Sequence, residues 1–307
     1  MRDLAACYSD HAVKVSDSSC SGSGSAAFGG DPSTRSAVTT SLYKTKLSTG
    51  KVLLIRVTWT KSLLGQGLSV GVEERSTNSV QPQNRKKAAA AASSLFLRRK
   101  KGSQSWLCGD SEVALYWDVS SAKYASGPEP VEGFYLVVIV DSDLVVVLGD
   151  RSREQRSRLE ARPVPVVGGA STTVISRREQ VVMGSSSQYS TKARFGEGGR
   201  DHEILIRCRA EGGPKESELS VYMDRKRVAL VRRLKWNFRG NQTIFVDGIP
   251  VDLMWDVHDW WFGGASGRAA FMFRTRSAPE TRLWLEEETL QGDQGFALLI
   301  HAFRAPS

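Results

Sequence analysis

Long apolar runs are missing from this 307-residue chain. Nothing in it approaches the ~18 consecutive apolar residues of a membrane-spanning helix. Its most apolar stretch, Tyr135–Val140 with Leu144–Leu148, is cut by Asp141-Ser142-Asp143. Cysteine is scarce. Cys7, Cys20, Cys108 and Cys208 form no CxxC pair and no metal-ligand spacing with His11, His202, His258 and His301. That excludes a disulfide framework and points to small buried thiols in a reducing compartment. The residues after Met1 lack an apolar core of the signal-peptide kind. No convincing amphipathic helix, no helix-borne zinc motif and no Gly-x-Ser-x-Gly elbow occurs. Gly196-Glu197-Gly198-Gly199 has the glycines of a phosphate loop but no Lys-Ser/Thr after them, and reads as a turn. Together these absences predict an intracellular protein of cytoplasm or nucleus with no signal peptide, no transmembrane segment, no cofactor and no metal, and argue against an enzyme.

What the chain has is positive charge. Its formal charge is +9 and its pI near 9.5, on a composition that is 40% apolar and sufficient for real cores. Such a balance favours an anionic partner: nucleic acid, a lipid headgroup surface or an acidic protein. The competing explanation is a basic surface that serves solubility alone.

It also has a repeat. Val113-Ala114-Leu115-Tyr116-Trp117-Asp118-Val119 recurs as Val251-Asp252-Leu253-Met254-Trp255-Asp256-Val257, five positions of seven identical and including a Trp, a type used only 8 times. Four further pairs follow in the same order. Tyr43–Lys46 matches Tyr189–Lys192, Leu54–Val57 matches Leu205–Cys208, Leu68–Val70 matches Leu219–Val221, and Lys101–Ser105 matches Arg239–Thr243. Collinear matches of this kind predict a tandem duplication.

Composition divides the rest. Residues 1–35, with Ser21-Gly22-Ser23-Gly24-Ser25, are too poor in apolar side chains to offset ordering entropy and read as a disordered tail. Residues 36–150 form the first unit, with a flexible loop at 76–94. Residues 151–171, starting with the Arg-rich run Arg151–Arg162, form a basic linker, and 172–307 the second unit. Inside the units the apolar period is two: Val113, Leu115, Trp117 and Val119 share a face, as do Val251, Leu253, Trp255 and Val257. Each run follows a two-residue turn, Gly109-Asp110 suited to type II′ and Asp247-Gly248 to type I′. A second hairpin joins Tyr135–Val140 to Leu144–Leu148, and in the second unit Ala270–Arg274 to Thr281–Leu285 through Ser277-Ala278-Pro279. Phe296–Phe303 follows. The first of these hairpins is apolar on both faces, so it is either central or covered. Many short strands with frequent turns predict an all-β fold of two tandem duplicated antiparallel β-sandwich-like units.

The candidate binding residues are basic. Arg98, Arg99, Lys100 and Lys101 enter one strand of the first unit. Arg232, Arg233 and Lys235 enter its counterpart in the second, and Arg225, Lys226 and Arg227 lie upstream; Arg177-Arg178 is a further pair. On strand edges these would contact phosphates, or simply blunt the edges against pairing. Trp260 and Trp261 are the candidate aromatic platform, able to stack on a base or sugar, or else to close the end of a core. Asp256, His258 and Asp259 are the one carboxylate–imidazole cluster, against a plain polar strand end. Where His258 stands the first unit has Ser120, so the scaffold does not require the imidazole.

Long strings carry a resemblance. Met1-Arg2-Asp3-Leu4, Trp117-Asp118 with Ser121-Ala122-Lys123-Tyr124, Pro128-Glu129-Pro130, Leu148-Gly149-Asp150, Ser190–Phe195, and Lys235–Thr243 through Trp255–Trp260 resemble a plant-specific family, domain of unknown function 868. The resemblance covers nearly the whole chain from about residue 35. It implies a plant source and carries over no catalytic or ligand-binding residue. The expectation for function is a non-enzymatic binding or scaffold protein whose ligand is an anionic surface or a protein partner. The alternatives are an enzyme centred on His258, Asp256 and Asp259, or an RNA or single-stranded DNA binder using the basic edges.

Overall fold

In the computed structural model, residues 37–63, 65–74, 92–154, 169–183, 188–196, 198–209, 217–263, 267–276 and 295–304 are described. The expected tail, the loop at 76–94 but for its last residues, most of the linker and the expected strand Thr281–Leu285 lie outside them.

The first half contributes β1 (Ala37–Lys46), β2 (Val52–Ser62), β3 (Gly65–Glu74), β4 (Ala92–Leu97), β5 (Lys101–Cys108), β6 (Ser111–Asp118), β7 (Lys123–Tyr124), β8 (Pro130–Glu132), β9 (Tyr135–Val140) and β10 (Asp143–Leu148). The second contributes β11 (Ser171–Met183), β12 (Gln188–Ala193), β13 (His202–Arg209), β14 (Glu218–Met223), β15 (Lys226–Arg232), β16 (Arg239–Val246), β17 (Ile249–Asp256), β18 (Arg268–Thr275) and β19 (Ala297–Arg304). A short helix, α1 (His258–Phe262), follows β17. The chain is all-β, as its period-two pattern predicts.

Alternation explains each strand. In β2, Leu53, Ile55, Val57 and Trp59 are buried while Leu54, Arg56 and Thr58 between them are not. β-branched and aromatic side chains suit this half-buried pleated surface. The turns adopt the expected hands. Gly109 has φ +61 in the β5–β6 turn, and Asp247 and Gly248 have φ +48 and +81 in the β16–β17 turn. In the β9–β10 turn Asp141 and Ser142 both have positive φ, 47 and 70.

The strands form a nine-stranded sheet in the order β16-β17-β18-β19-β11-β1-β2-β3-β4, two four-stranded sheets, β10-β9-β6-β5 and β12-β13-β14-β15, and the pair β7-β8. In the first half, Ile55, Val57 and Val70 interleave with Leu115, Trp117 and Val138 of the opposite sheet. In the second, Ile204, Leu219 and Val221 meet Leu253, Phe271 and Ile300 in the same way. β9 is interior to its sheet, and its outward Val137 and Ile139 are buried in a small cluster with Tyr116 and Tyr135. The double-sided apolarity of that hairpin is thereby explained.

One feature departs from a purely antiparallel plan. β11 pairs antiparallel with β1, Ser171–Gln180 against Val38–Lys46, and parallel with β19, Ser176–Met183 against Ala297–Arg304. The two halves are therefore welded through a single strand into one sheet. Sequence periodicity speaks to which face of a strand is buried and not to which neighbour it takes, so the weld was not foreseen.

Equivalent bonds recur in the two halves. Trp117 Nε1 donates to Arg99 O at 2.8 Å, and Trp255 Nε1 donates to Asn237 O at 2.9 Å, each spanning 18 residues. Lys101 pairs with Asp118 at 3.1 Å, and Arg239 with Asp256 at 2.8 Å. A Cβ added to Gly102 would lie 2.8 Å from the Trp117 ring, and one on Gly240 2.3 Å from that of Trp255.

Candidate functional site

β15 is an edge strand of its four-stranded sheet and β16 an edge strand of the nine-stranded one. The turn 233–238 joins them, and a cleft of about 560 Å³ opens between them. Its walls carry Arg232, Arg233, Arg239, Asn237, Asn241 and Gln242, and Gly240 and Trp255 form part of its floor.

The turn is built to hold its shape. Leu234 is fully buried and anchors it; the Leu234 and Lys235 N–H groups donate to Ser217 O and Oγ at 2.9 and 3.1 Å. Arg233 O accepts from Trp236 N at 2.8 Å and Asn237 N at 3.0 Å, and the Asn237 side chain donates to Arg232 O at 2.9 Å. This geometry places Arg233 at φ 53, in the left-handed region. Trp236 is left 73% exposed. Beside it Phe238, His258 and Phe262 pack ring on ring at 5.1–6.2 Å, with Phe262 58% exposed.

The predicted basic residues fall as follows. Arg225 sits in the β14–β15 hairpin turn, Lys226, Arg227 and Arg232 on edge strand β15, and Arg233 and Lys235 in the turn beyond it. All but Lys235 are exposed, and none of Arg225, Lys226, Arg227, Arg232 and Arg233 has a charged or hydrogen-bonding side-chain partner among the described residues. Lys235 instead lies over the Trp261 ring at 5.3 Å. In the first half Arg98, Arg99 and Lys100 form a short exposed turn and only Lys101 is on the edge strand, β5, where Asp118 holds it. So Arg98–Lys100 and Arg233–Lys235 are turn residues where the chain crosses between sheets, while Lys226, Arg227 and Arg232 lie on an edge strand and Arg225 in the hairpin turn before it. Arg177 is not part of any basic surface: it is inside an ion-pair network.

The aromatic platform is corrected too. Trp260 is 5% exposed, belongs to the core and has Arg304 over its ring; Trp261 is half-buried under Lys235. Among the described residues the exposed indole is that of Trp236. Adjacent tryptophans look alike by composition. A Trp inside a polar turn between two basic residues and Asn237 was the available signal.

Further clusters of ionisable groups lie elsewhere among the described residues. Asp256 accepts the His258 backbone N–H at 3.0 Å and pairs with Arg239, while the His258 Nδ1 is 3.0 Å from Asp259, whose other oxygen takes Arg268 at 2.9 Å. The His258 and Arg268 bonds hold the Asp259 carboxyl below its usual range. The structure thus joins His258 to Asp259 and not to the side chain of Asp256. At the opposite end of the second half, His202, buried, lies between Asp224 at 2.8 Å and Asp247 at 3.0 Å. Its ring stands between the two carboxylates, so they do not converge on a common point. Among the described residues no group of three or more His, Cys, Asp or Glu could hold a metal ion.

The last cluster lies at the weld. Glu179, 1% exposed, accepts from Arg177 Nε at 2.7 Å, Thr191 Oγ1 at 2.7 Å and Tyr189 OH at 3.1 Å, and Arg177 also pairs with Glu129 at 2.7 Å. Burial and the adjacent Glu179 push the Tyr189 hydroxyl far above its ordinary value, and burial beside Glu129 pushes Tyr43 up to about 12. Every member is satisfied, which suits structure rather than ligand capture. The Cys208 thiol, pushed by burial to about 12, is inert for the same reason.

This is an all-β chain whose described residues form an open cleft lined by arginines. Residues 34–304 match the plant protein family of unknown function DUF868, and the chain belongs to that family. No curated protein and no solved structure matches it. No helix among the described residues is long and apolar enough to cross a membrane.

Proposed function

We propose that this is a non-enzymatic binding protein made of two tandem duplicated β-sandwich units, with residues 36–150 and 172–307 as the copies and an anionic partner as its ligand. The repeated Trp–Gly contact, the repeated indole bond and the repeated ion pair support the duplication. One observation carries the binding reading: Arg232 and Arg233, without side-chain partners, flank an open cleft beside the 73% exposed Trp236. Cations that serve stability are generally paired; cations that serve a ligand stand free and pre-positioned. The contact of His258 with Asp259 favours acid–base chemistry as a second reading. Against it, both carboxylates of that cluster are already engaged with Arg239 and Arg268.

The test is retention on heparin across a salt gradient, with wild type, Arg232→Glu/Arg233→Glu and His258→Ala side by side. The reading expects the charge-reversed protein to elute at markedly lower salt, because binding driven by counterion release falls with each lost contact. It expects His258→Ala to elute with wild type. Co-elution of the charge-reversed protein with wild type sinks the reading. A turnover abolished by His258→Ala in a folded protein replaces it with the enzyme reading.

A further inference from the structure

Deepening that reading and resting on it, we propose that the β15 edge binds the sugar–phosphate backbone of single-stranded nucleic acid, with Arg225 and Arg233 as the two end contacts and Trp236 as a base-stacking platform.

The first ground is where the chain tolerates strain. Arg225 has φ 68 and Arg233 φ 53. L side chains other than Asn and Asp rarely adopt the left-handed region, and such outliers gather at functional sites. Asp224-Arg225 is a two-residue hairpin turn with both φ values positive, 49 and 68. Glycine suits its second position, and the chain places glycine there in the Asp247-Gly248 turn. An arginine occupies the strained position instead. Its turn is held from outside: Asp224 accepts from Glu203 N at 3.0 Å, from His202 Nδ1 at 2.8 Å and from Arg200 at 3.1 Å. The buried His202 therefore fixes the turn that presents Arg225, and the bonds to Arg233 O fix the turn that presents Arg233. In both cases the backbone, rather than a side-chain partner, sets where the arginine leaves the chain.

The second ground is spacing. Arg225 and Arg233 bracket an extended strand, which puts them about 25 Å apart. Lys226, Arg227 and Arg232 lie between them, also without partners among the described residues. A row of that length matches roughly four nucleotides of extended single strand. The third ground is lining. Asn237, Asn241 and Gln242 line the cleft and offer donors and acceptors that suit base edges and sugars, and Trp236, next to Asn237 in the turn but outside the lining, offers an exposed π-face that any base can use. A concave cleft with amide walls does not fit a flat bilayer, and a nucleic acid offers phosphates for the arginines and bases for Trp236 in one ligand.

The experiment is fluorescence anisotropy of a labelled oligothymidylate of about 12 nucleotides, titrated with the full chain from about 50 to 200 mM salt. Arg225→Gly/Arg233→Gly and Trp236→Ala are compared with wild type, and each protein's melting temperature is recorded. Replacing a left-handed arginine by glycine relieves strain, so the double variant is expected to melt no lower than wild type and to bind roughly tenfold more weakly or worse. Its slope of log affinity against log salt should shrink by about 1.4, the value for two lost phosphate contacts on a single strand. Trp236→Ala should weaken binding roughly tenfold with the slope unchanged. The inference is overturned if the glycine variant binds as wild type does, or if wild type ignores the oligonucleotide while retained on heparin. It is equally overturned if wild type binds phosphatidylserine vesicles and not the oligonucleotide. Failure to bind heparin, vesicles and oligonucleotide alike removes the anion-binding reading itself.

Discussion

Glu179→Ala should cost about 3–5 kcal/mol of folding stability. The carboxylate is 1% exposed and serves three donors, Arg177, Thr191 and Tyr189. Removing one partner of a buried ion pair leaves the other charge uncompensated, which is where the larger figure originates. Here Arg177 retains Glu129 at 2.7 Å, so the loss from the charge alone belongs at the lower end, about 3 kcal/mol. The two orphaned hydroxyls add about 1 kcal/mol each, less than additively. Glu179→Gln keeps the shape and two of the acceptor contacts, and should cost roughly 1–2 kcal/mol. Urea unfolding followed by circular dichroism gives both values. Hydrogen exchange gives the location: because β11 pairs with β1 on one side and β19 on the other, protection should fall in both neighbours together. A loss under about 1 kcal/mol for Glu179→Ala, or loosening confined to β12, would refute the reasoning that this network locks the weld.

Gly240→Ala should destabilise by about 1–3 kcal/mol, and Gly102→Ala by no more, since the added Cβ meets the Trp255 ring at 2.3 Å and the Trp117 ring at 2.8 Å; equal thermal stability with wild type would show that the indoles shift freely. His202→Ala should cost about 1–3 kcal/mol, discounted because its partners Asp224 and Asp247 are 35% and 47% exposed, and an unchanged urea midpoint would show the bridge to be idle. Acid should lower the stability of the fold. The Glu203 N–H, His202 and Arg200 hold the Asp224 carboxyl low; burial opposes ionisation of Asp252 but is outweighed by Arg276 and Thr243. Both folded-state values lie below the ordinary 3.8, so this stabilisation is present above that pH and lost as pH falls through the folded values. Urea midpoints that rise as the pH is taken below 3.8 would contradict the assignment.

Local features of this fold were legible, and partners across space were not. The buried faces of β6 and β17 and the type of the β16–β17 turn follow from period two and from glycine placement, which act within a few residues. The choice of β19 as the neighbour of β11 follows from contacts more than a hundred residues apart, and no alternation encodes it. The site divides along the same line. The charge of the Arg232–Lys235 run is plain in the sequence. Which of Trp236 and Trp260 faces water is set by packing in three dimensions, where Leu234 and Trp260 join one core and Trp236 does not.

Strand order has a consequence for synthesis of the chain. β19 inserts between β11 and β18, yet both of those strands are made before it. While it is still missing, β1–β4 can already pair with β11, and β16–β18 can already pair with one another. Each partial sheet then ends in a bare, unpaired ladder. Those two ladders are the natural partners of β19, and equally of any passing strand. The nascent protein is therefore most vulnerable to cross-chain pairing in the interval before residues 297–304 emerge, and whatever shields β11 and β18 in that interval protects the whole fold.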